Sequence, residues 1–312
     1  MHTDATLDLS PSVRNAIDRG SPIVALESSV FAQGLPIPEN LQAAERMLRA
    51  VEERGATPAI AAVSRGRPTL GLDGDDLKRF LCRDGVRKVS SRDLGVAMAQ
   101  RNDGATTVAA TLVLARKAKV QVFATGGIGG VHRRTRLEIE RKPQVHDESA
   151  DLIELSRSRV VVVCTGAKSI LDLAATWERL ETLGVPVVGY QTGELPGFFT
   201  AETGIALSVR CDTVAEIASI ARHHWAVGND QSVLVVQAPP AKHAMSGVDM
   251  ERAISEALSE AERKGIEGAA ITPFLLEAVS RLTNRRSLEV NLSLLESNAA
   301  LAAEIASSLA AK

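Results

Sequence analysis

Residues 120–173 read VQVFATGGIGGVHRRTRLEIERKPQVHDESADLIELSRSRVVVVCTGAKSILDL, and they contain the strongest indications of the fold. Its two apolar, β-branched runs, residues 120–124 and 160–164, predict two buried strands. A turn of small polar residues follows each run, at residues 125–127 and at residues 165–168. Because ligands of open α/β sheets bind beyond the carboxyl ends of the strands, the two turns predict the position of a ligand site.

Short apolar strands and amphipathic helices alternate along the rest of the chain, which predicts the α/β class. The length of 312 residues allows one large domain or two smaller ones. Neither an internal repeat nor a low-complexity linker interrupts the sequence, so we expect a single large α/β domain over residues 1–312. Residues 1–11 (MHTDATLDLSP) are mostly polar and are expected to form a mobile lead-in.

The nearly balanced charge and the scarcity of aromatic residues argue against a nucleic-acid-binding surface. The formal net charge is −2, and aromatic residues make up 3% of the chain. The three cysteines have no metal-binding spacing, which is typical of a protein in a reducing compartment. No apolar run reaches transmembrane length, and the N-terminus lacks the apolar core of a signal peptide. We therefore expect a cytoplasmic protein that binds neither nucleic acid nor membranes.

Lys168 is the last residue of the turn after the second predicted strand, and it precedes a predicted amphipathic helix over residues 169–183. A lysine at a helix N-terminus faces the positive end of the helix dipole, which favours the neutral amine. A neutral amine is what a lysine nucleophile needs in order to attack a sugar or carbonyl carbon. The alternative is a lysine that reaches solvent or binds a phosphate. The position of Lys168 leaves both interpretations open.

Glu27 and residues 104–108 are further candidates. Glu27 follows a predicted strand over residues 22–26, where a carboxylate can act as a general acid or base, or can cap a turn. Residues 104–108 (GATTV) open a predicted alanine-rich helix, whose N–H groups and hydroxyls could hold a phosphate. Ser and Thr also cap many helices that bind no ligand. Lys88, in another predicted strand, could hold an anion or lie on the surface.

The glycines at residues 126–130 (GGIGG) do not form a nucleotide-binding motif. Gly127 and Gly129 match the first two positions of G-x-G-x-x-G, but His132 occupies the third. The chain also lacks the G-x-x-x-x-G-K-[ST] phosphate loop and any C-x-x-C zinc pair. We therefore expect these glycines to let the backbone approach a ligand closely.

Several segments resemble, in the same order, the pseudouridine-5′-phosphate glycosidases of the indigoidine synthase A-like family. The resemblance spans residues 23–305 and includes ALESSVFAQGLPIPEN, GATTVAATL, VFATGGIGGVHR, VVVCTGAKSILDL and SLEVNLSLLESNAALAAEIA. It implies a three-layer α/β/α fold with a central mixed β-sheet, and a homotrimer. It also implies an enzyme that reversibly splits pseudouridine 5′-phosphate into uracil and ribose 5-phosphate.

The resemblance further implies roles for individual residues. Lys168 matches the family's nucleophile, which would form a covalent adduct and then a Schiff base at C1′ of the opened ribose. Glu27 matches the proton donor, and Asp147 matches a divalent-metal site at which Mn²⁺ is the usual ion. The residues that match substrate-contacting or pocket-lining positions are Lys88, Thr107, Val108, Thr125, Gly126, His132, Ser149, Ala150, Asp151 and Asn291.

The sequence departs from the family pattern in four places. Glu148 replaces an isoleucine beside the metal position, and Ser91 replaces an arginine. The usual Thr-Gly-Gly is Thr-Asn-Arg-Arg at residues 283–286, and the usual Asn-Pro-Ile-Pro-Glu is Gln-Ala-Pro-Pro-Ala at residues 237–241. The last two changes leave the base specificity open.

Two other functions therefore stay under consideration. The first is an enzyme of the same scaffold that acts on another C-nucleotide or sugar phosphate. The second is a non-catalytic sugar-phosphate-binding protein, although a binding protein has no need of a nucleophilic lysine. A sugar kinase is disfavoured because the sequence has no recognisable nucleotide motif.

Overall fold

The computed structural model describes residues 7–133, 147–266 and 271–311. Strands β1–β13 comprise Asp8–Leu9, Ile23–Glu27, Thr57–Ser64, Arg67–Leu70, Arg87–Val89, Gly104–Thr106, Val122–Ala124, Val131–His132, Val161–Cys164, Leu171–Asp172, Val187–Tyr190, Arg210–Cys211 and Val233–Val236. Helices α1–α11 comprise Pro11–Arg19, Glu39–Glu52, Gly74–Cys82, Leu94–Ala99, Val108–Lys117, Ala150–Leu155, Leu173–Thr182, Val214–Ala226, Gly247–Arg263, Ile271–Leu282 and Arg286–Ala310.

A mixed sheet lies at the centre of the molecule and contains eleven of the described strands. Its main path runs β1-β4-β3-β2-β7-β9-β13-β11-β12, and β6 pairs with β3 and β5 at one side. The path from β3 to β12 is parallel throughout, whereas β3 pairs antiparallel with β4 and β6. Strands β8 and β10 form a separate antiparallel pair. The prediction of an α/β fold with a mixed sheet is confirmed.

Helices cover both sides of this sheet, which gives the expected three layers. Helix α2 packs against α11, and α11 packs on β2, β7 and β9, while α5 packs against α6 and on β2 and β3. All residues of β7 and β9 are buried, which explains why both strands are continuous apolar runs in the sequence. None of the helices in the described ranges is long and apolar enough to cross a membrane.

The last residues of the predicted lead-in belong to regular secondary structure, because Asp8–Leu9 forms β1 and α1 begins at Pro11. Strand β1 pairs in parallel with β4 at one end of the sheet path. Ser10 then caps α1, and its Oγ accepts a hydrogen bond of 3.3 Å from Val13 N. Pro11 occupies the first helical turn, where its missing N–H has no cost. The Ser-Pro pair is therefore the signal for this helix start.

An ion-pair cluster beside α3 joins that helix to the loop before β6. Arg79 Nε donates to Asp103 Oδ2 at 2.5 Å, and Arg79 Nη1 donates to Asp76 Oδ1 at 2.7 Å. The hydrogen bond from Arg79 lowers the pKa of Asp76 below its usual value. Burial raises the pKa of Asp103, but hydrogen bonds from Arg79 and from the Arg65 N–H outweigh this effect and lower it. Both carboxylates therefore stay charged below their usual titration range.

We expect Arg79→Met to lower the free energy of unfolding by about 1–2 kcal/mol at neutral pH, because two carboxylates lose a charged donor. The pKa values of Asp76 and Asp103 are lower in the folded state than the unfolded value of about 3.9. This contribution to the free energy of unfolding is therefore fully present above that pH, and it is lost as the pH falls through the folded-state pKa values. Urea unfolding at neutral pH and at about pH 3 should therefore give a difference from wild type that shrinks at the lower pH.

The matched control for this prediction is Lys78→Met on the same helix. Lys78 pairs with Asp75 in an ion pair whose side chains are 76% and 94% exposed. Such a pair contributes under about 0.5 kcal/mol. Equal losses of stability in the two variants, or a loss in Arg79→Met that is the same at both pH values, would contradict the prediction.

Candidate active site

The turns after β2, β7 and β9 border one cavity of about 210 Å³. The cavity therefore lies at the carboxyl edge of the sheet, where the sequence predicted a ligand site. The predicted residues that line it are Glu27, Lys88, Thr107, Val108, His132, Ser149, Asp151 and Lys168. Gly129, one of the glycines expected to approach a ligand, also lines it. Its other lining residues, which the sequence analysis did not single out, are Ser29, Ser90, Ile170 and Leu171.

Glu27 is the last residue of β2, and its carboxylate is held by two hydroxyl groups. The residue is 6% exposed. Ser29 Oγ donates to Glu27 Oε2 at 2.5 Å, and Thr125 Oγ1 donates to Glu27 Oε1. One donor on each oxygen fixes the plane of the carboxyl group. A carboxyl group held in this way suits proton transfer at one defined position in the cavity.

Two backbone hydrogen bonds join the turn that carries Lys168 to the glycine-rich segment after β7. Lys168 N donates to Ile128 O at 3.1 Å, and Ile128 N donates to Gly166 O at 3.1 Å. Gly166 has a left-handed backbone, with φ of 78°, and a Cβ at this position would lie 2.2 Å from Pro196 O. Only glycine fits there. The backbone of Lys168 is thereby fixed, and Lys168 lines the cavity.

Lys168 does not begin a helix, which corrects the interpretation of the sequence. Helix α7 begins at Leu173, and β10 lies between Lys168 and that helix. The apolar spacing of residues 169–173 suits a helix or a short strand, and pairing with β8 decides for the strand. The helix dipole therefore gives no reason for a neutral Lys168 amine.

Lys88 on β5 brings a second ammonium group to the same cavity. Lys88 is exposed as a residue, and it also lines the cavity. Burial of the ammonium group and repulsion by Lys168 lower the pKa of Lys88, and Glu27 and Asp151 partly offset this shift. Two cationic side chains in one small cavity favour an anionic ligand, because the anion relieves their repulsion.

Asp151 joins two parts of the cavity wall. The residue is 5% exposed, and its Oδ1 accepts from Ala109 N at 2.9 Å while its Oδ2 accepts from Gly129 N at 2.8 Å. These bonds tie the first turn of α5 to the glycine-rich segment. A Cβ on Gly129 would lie 2.3 Å from Ser149 Oγ, so the close approach of the Gly129 backbone to Ser149 requires glycine. Ser149 in turn caps α6.

The predicted helix start at residues 104–108 is wrong, because Gly104–Thr106 forms β6. This strand pairs with both β3 and β5, and three residues are too few to reveal the alternation of a strand in the sequence. Thr107 caps α5 and accepts a hydrogen bond from Ala110 N. The N–H groups of Ala109 and Ala110 in the first turn are therefore already bonded, to Asp151 and to Thr107. Of the N–H groups at this helix start, the predicted phosphate site can use the one at Val108.

Asp147 lies beside His132 and has an accessible carboxylate. Asp147 Oδ2 is 3.7 Å from His132 Nδ1, and the Asp147 side chain is 67% exposed. Within the described ranges, no group of three or more His, Cys, Asp or Glu side chains could hold a metal ion. Asp151 is a poor ligand because both of its oxygens accept backbone N–H groups. The residues present fit a hydrated Mg²⁺ or Mn²⁺ that keeps most of its water ligands.

Four predicted pocket residues lie outside the lining of the cavity: Thr125, Gly126, Ala150 and Asn291. Thr125 is 1% exposed and lies behind Glu27, and a Cβ on Gly126 would lie 3.2 Å from side chains of α11. Ala150 is the first residue of α6. Asn291 Oδ1 is buried and has no hydrogen-bond partner among the described residues. Direct contact of these residues with a substrate stays a prediction.

The chain belongs to the indigoidine synthase A-like family. The sequence model of this family, described as "Indigoidine synthase A like protein", matches residues 12–308. The match covers almost the whole chain and includes every residue of the cavity. The family that the sequence segments predicted is therefore confirmed.

Individual relatives resemble the chain over nearly its full length. A Gemmatimonas aurantiaca protein named pseudouridine-5′-phosphate glycosidase is 57% identical, with 96% of this chain and 94% of the relative covered. The crystal structure of the prealnumycin C-glycosynthase AlnA in complex with ribulose 5-phosphate has a TM-score of 0.89 and 37% identity, with 99% and 98% covered. An indigoidine synthase A-like protein of Thermotoga maritima has a TM-score of 0.88 and 34% identity, with the same coverage.

Proposed function

We propose that this chain is a pseudouridine-5′-phosphate glycosidase, which reversibly cleaves pseudouridine 5′-phosphate into uracil and ribose 5-phosphate. The observation that carries the proposal is that the Glu27 carboxylate and Lys168 meet in one cavity at the ends of parallel strands. The 57% identity to a relative of that name supports it. An enzyme explains why a lysine with a fixed backbone and a carboxylate held by two hydroxyl groups line the same cavity.

The bond to be broken joins C1′ of the ribose to C5 of uracil, and it requires more than ordinary glycosidase chemistry. An ordinary glycosidase expels an oxygen or nitrogen leaving group between two carboxylates. A uracil carbanion is a much poorer leaving group. An amine nucleophile offers another route, because its nitrogen lone pair can drive the departure of the carbon leaving group.

In the proposed reaction, the neutral amine of Lys168 attacks C1′ and the C1′–O4′ bond breaks. The proton that the alkylated nitrogen releases goes to O4′ as the ribose opens, and the nitrogen regains its lone pair. Glu27 then donates a proton to uracil C5 while the nitrogen lone pair forms the C=N bond and the C1′–C5 bond breaks. Water adds to the protonated imine and gives up one proton, which returns to Glu27. Ribose 5-phosphate then leaves, and Lys168 regains its free amine. The hydroxyls of Ser29 and Thr125 keep the Glu27 carboxyl group in place for its proton transfer.

Lys88 is proposed to bind the phosphate of the substrate together with the hydroxyl groups of Thr107 and Ser149. All three residues line the cavity. The charge of a phosphate dianion offsets the repulsion between Lys88 and Lys168, which otherwise disfavours two protonated amines in one cavity. A point charge on a flexible stem is a common way to bind phosphate.

A divalent ion, Mn²⁺ or Mg²⁺, is proposed to bind at Asp147, with water and the substrate phosphate as its other ligands. The bound ion would neutralise phosphate charge. His132 lies beside this carboxylate, with Nδ1 at 3.7 Å from Asp147 Oδ2. We further propose that the protein is a homotrimer in the cytoplasm. Sedimentation equilibrium tests the trimer directly.

Asp147→Ala should weaken metal binding by about 10–100-fold, and activity should fall in parallel because the substrate phosphate loses its counter-ion. Activity and calorimetric Mn²⁺ titrations on chelator-treated protein measure the two effects. Glu148→Gln is the control and should leave the metal affinity unchanged. Glu148 is paired with Arg179, whose Nε lies 2.9 Å from Glu148 Oε2. The metal assignment would be wrong if Asp147→Ala kept full activity after exhaustive chelation.

Uracil release from pseudouridine 5′-phosphate, compared with other C-nucleotides, tests the proposed substrate. The alternative of another C-nucleotide substrate rests on the two loops that depart from the family pattern. Asn284 and Arg285, where glycines are usual, have φ of 50° and 63°, so this turn keeps a left-handed backbone despite the changed side chains. A faster reaction with another C-nucleotide would favour that alternative, and binding of ribose 5-phosphate without any turnover would favour a binding protein.

A further inference from the structure

Asn298 is a fully buried polar residue within the apolar face of α11, and the proposed reaction has so far given it no role. Its relative exposure is 0%, and Leu294, Leu295 and Leu301 around it on the helix are buried as well. An amide group buried without hydrogen bonds costs a few kcal/mol, about 1–3. Hydrogen bonds from neighbouring groups must therefore offset the cost of burying the Asn298 amide.

The Asn298 amide contacts the segments that follow three neighbouring strands of the sheet. Nδ2 donates to Thr125 O at 2.8 Å and lies 3.4 Å from Gly126 O, directly after β7. Thr165 Oγ1, directly after β9, lies 3.0 Å from Nδ2 and 3.2 Å from Oδ1. Gln237 Nε2, directly after β13, donates to Oδ1 at 2.8 Å. One side chain thus holds three strand ends together.

One of these three segments carries Lys168, and another carries Thr125, which supports the carboxyl group of Glu27 on β2. The main chain of Thr125 is bonded to Asn298, and the hydroxyl of the same residue donates to Glu27. Thr165 opens the turn that ends at Lys168, and that turn is braced by Gly166 and Ile128. Displacement of the amide would therefore move the supports of the carboxyl group and of the lysine relative to each other.

We propose that Asn298 is a positioning residue, which sets the separation of Glu27 and Lys168 by holding Thr125 and Thr165 at a fixed distance. The proposal deepens the function proposed above and rests on it. Asn298 touches neither the cavity nor a substrate in it, so it acts through the two threonines. Because reacting groups must be placed to within a fraction of an ångström, a loosened link lowers the rate of the chemical steps more than the binding of substrate.

The first test is Asn298→Asp, which keeps the shape and the acceptor but removes the donor to Thr125 O. We expect kcat for uracil release to fall about 10–100-fold, with KM changed by less than about threefold. A protonated carboxyl group can still donate this hydrogen bond, whereas a carboxylate cannot. The kcat of the variant relative to wild type should therefore fall further as the pH rises.

The matched control is Leu301→Ala, which removes packing from the same helix without changing the amide. Both variants are assayed well below their melting temperatures. Leu301→Ala should lower the melting temperature yet leave kcat within about twofold of wild type. Two results would overturn the proposal and leave Asn298 with a purely structural role. The first is wild-type kcat in Asn298→Asp at all pH values, and the second is a loss of kcat in Leu301→Ala as large as in Asn298→Asp.

A second pair of variants keeps the proposal testable if Asn298→Asp does not fold. Thr165→Val removes the hydroxyl group that contacts Asn298, and Thr165→Ser restores it. We expect Thr165→Val to lose kcat and Thr165→Ser to recover most of it. Equal kcat values in the two variants would overturn the proposal, because the hydroxyl link would then have no effect on the reaction.

The rate of borohydride trapping of ribose 5-phosphate on Lys168 separates this proposal from the proposed substrate. Trapping depends on the placement of Lys168 and does not require release of uracil. If the wild-type protein is trapped but releases no uracil, the proposed substrate is wrong, and slower trapping in Asn298→Asp would still support the positioning role. Wild-type trapping rates in both Asn298→Asp and Thr165→Val, with unchanged kcat, would refute it.

Discussion

Replacement of Lys168 by arginine should abolish uracil release, with a loss of about 10³-fold or more, as expected when a covalent nucleophile is removed. Guanidinium keeps the positive charge but stays protonated, so it cannot attack C1′. Wild-type protein incubated with ribose 5-phosphate and borohydride should carry one reduced adduct on the peptide that contains residues 165–169. Peptide mass spectrometry should find this adduct in the wild type and not in Lys168→Arg.

Lys88→Ala is the matched control, since it removes the other lysine of the cavity. If Lys88 binds the phosphate, Lys88→Ala should need a higher concentration of ribose 5-phosphate for half-maximal labelling, and the label should still appear on Lys168. Normal turnover in Lys168→Arg, or an adduct on Lys88, would overturn the assignment. Lys168 would then be an anion-binding residue.

Glu27→Gln should reduce uracil release by about 10²–10⁴-fold, the usual contribution of a positioned acid or base. Glutamine has the same shape and can still accept the hydroxyl of Ser29 or Thr125, so the cavity should keep its form and ribose 5-phosphate should still bind. Steady-state kinetics and a ribose 5-phosphate binding titration measure the two effects. Far-ultraviolet circular dichroism checks that the variant is folded.

The control for Glu27→Gln is Glu178→Gln, which changes an exposed carboxylate on α7 in the same way and should leave kcat unchanged. A loss of less than about tenfold in Glu27→Gln, with wild-type folding, would count against its role as proton donor. A loss of ribose 5-phosphate binding that equals the loss of rate would instead make Glu27 a binding residue.

Strong local patterns in the sequence predicted the framework of the site. β7 and β9 are fully buried and therefore appear as β-branched apolar runs, and the small polar residues after them mark the carboxyl edge of the sheet. In the sequence Glu27 directly follows a predicted strand and Lys168 ends the turn after another, and the structure brings both to one cavity. Side chains at strand ends are predictable in this way because parallel strands present their carboxyl ends at the same edge.

Features that depend on distant partners could not be predicted from the sequence. The segment after Lys168 has helical spacing, but its pairing with β8 makes it a strand, so the expected helix dipole at Lys168 does not exist. Asn298 could have been noticed as a lone amide in the apolar stripe of a helix. Its hydrogen bonds to Thr125 and Thr165 are long-range contacts, and nothing in the local sequence indicates them.

The parallel pairing of β2, β7 and β9 also has a consequence for folding. Parallel strands cannot be joined by a tight turn, so each pairing closes a long loop and loses conformational entropy before the native contacts stabilise it. Glu27 and Lys168 follow strands on either side of β7, and Asn298 reaches their supports from the last helix. The geometry of the proposed site is complete only when elements from both ends of the chain have come together, so we expect catalytic competence to be a late event in folding.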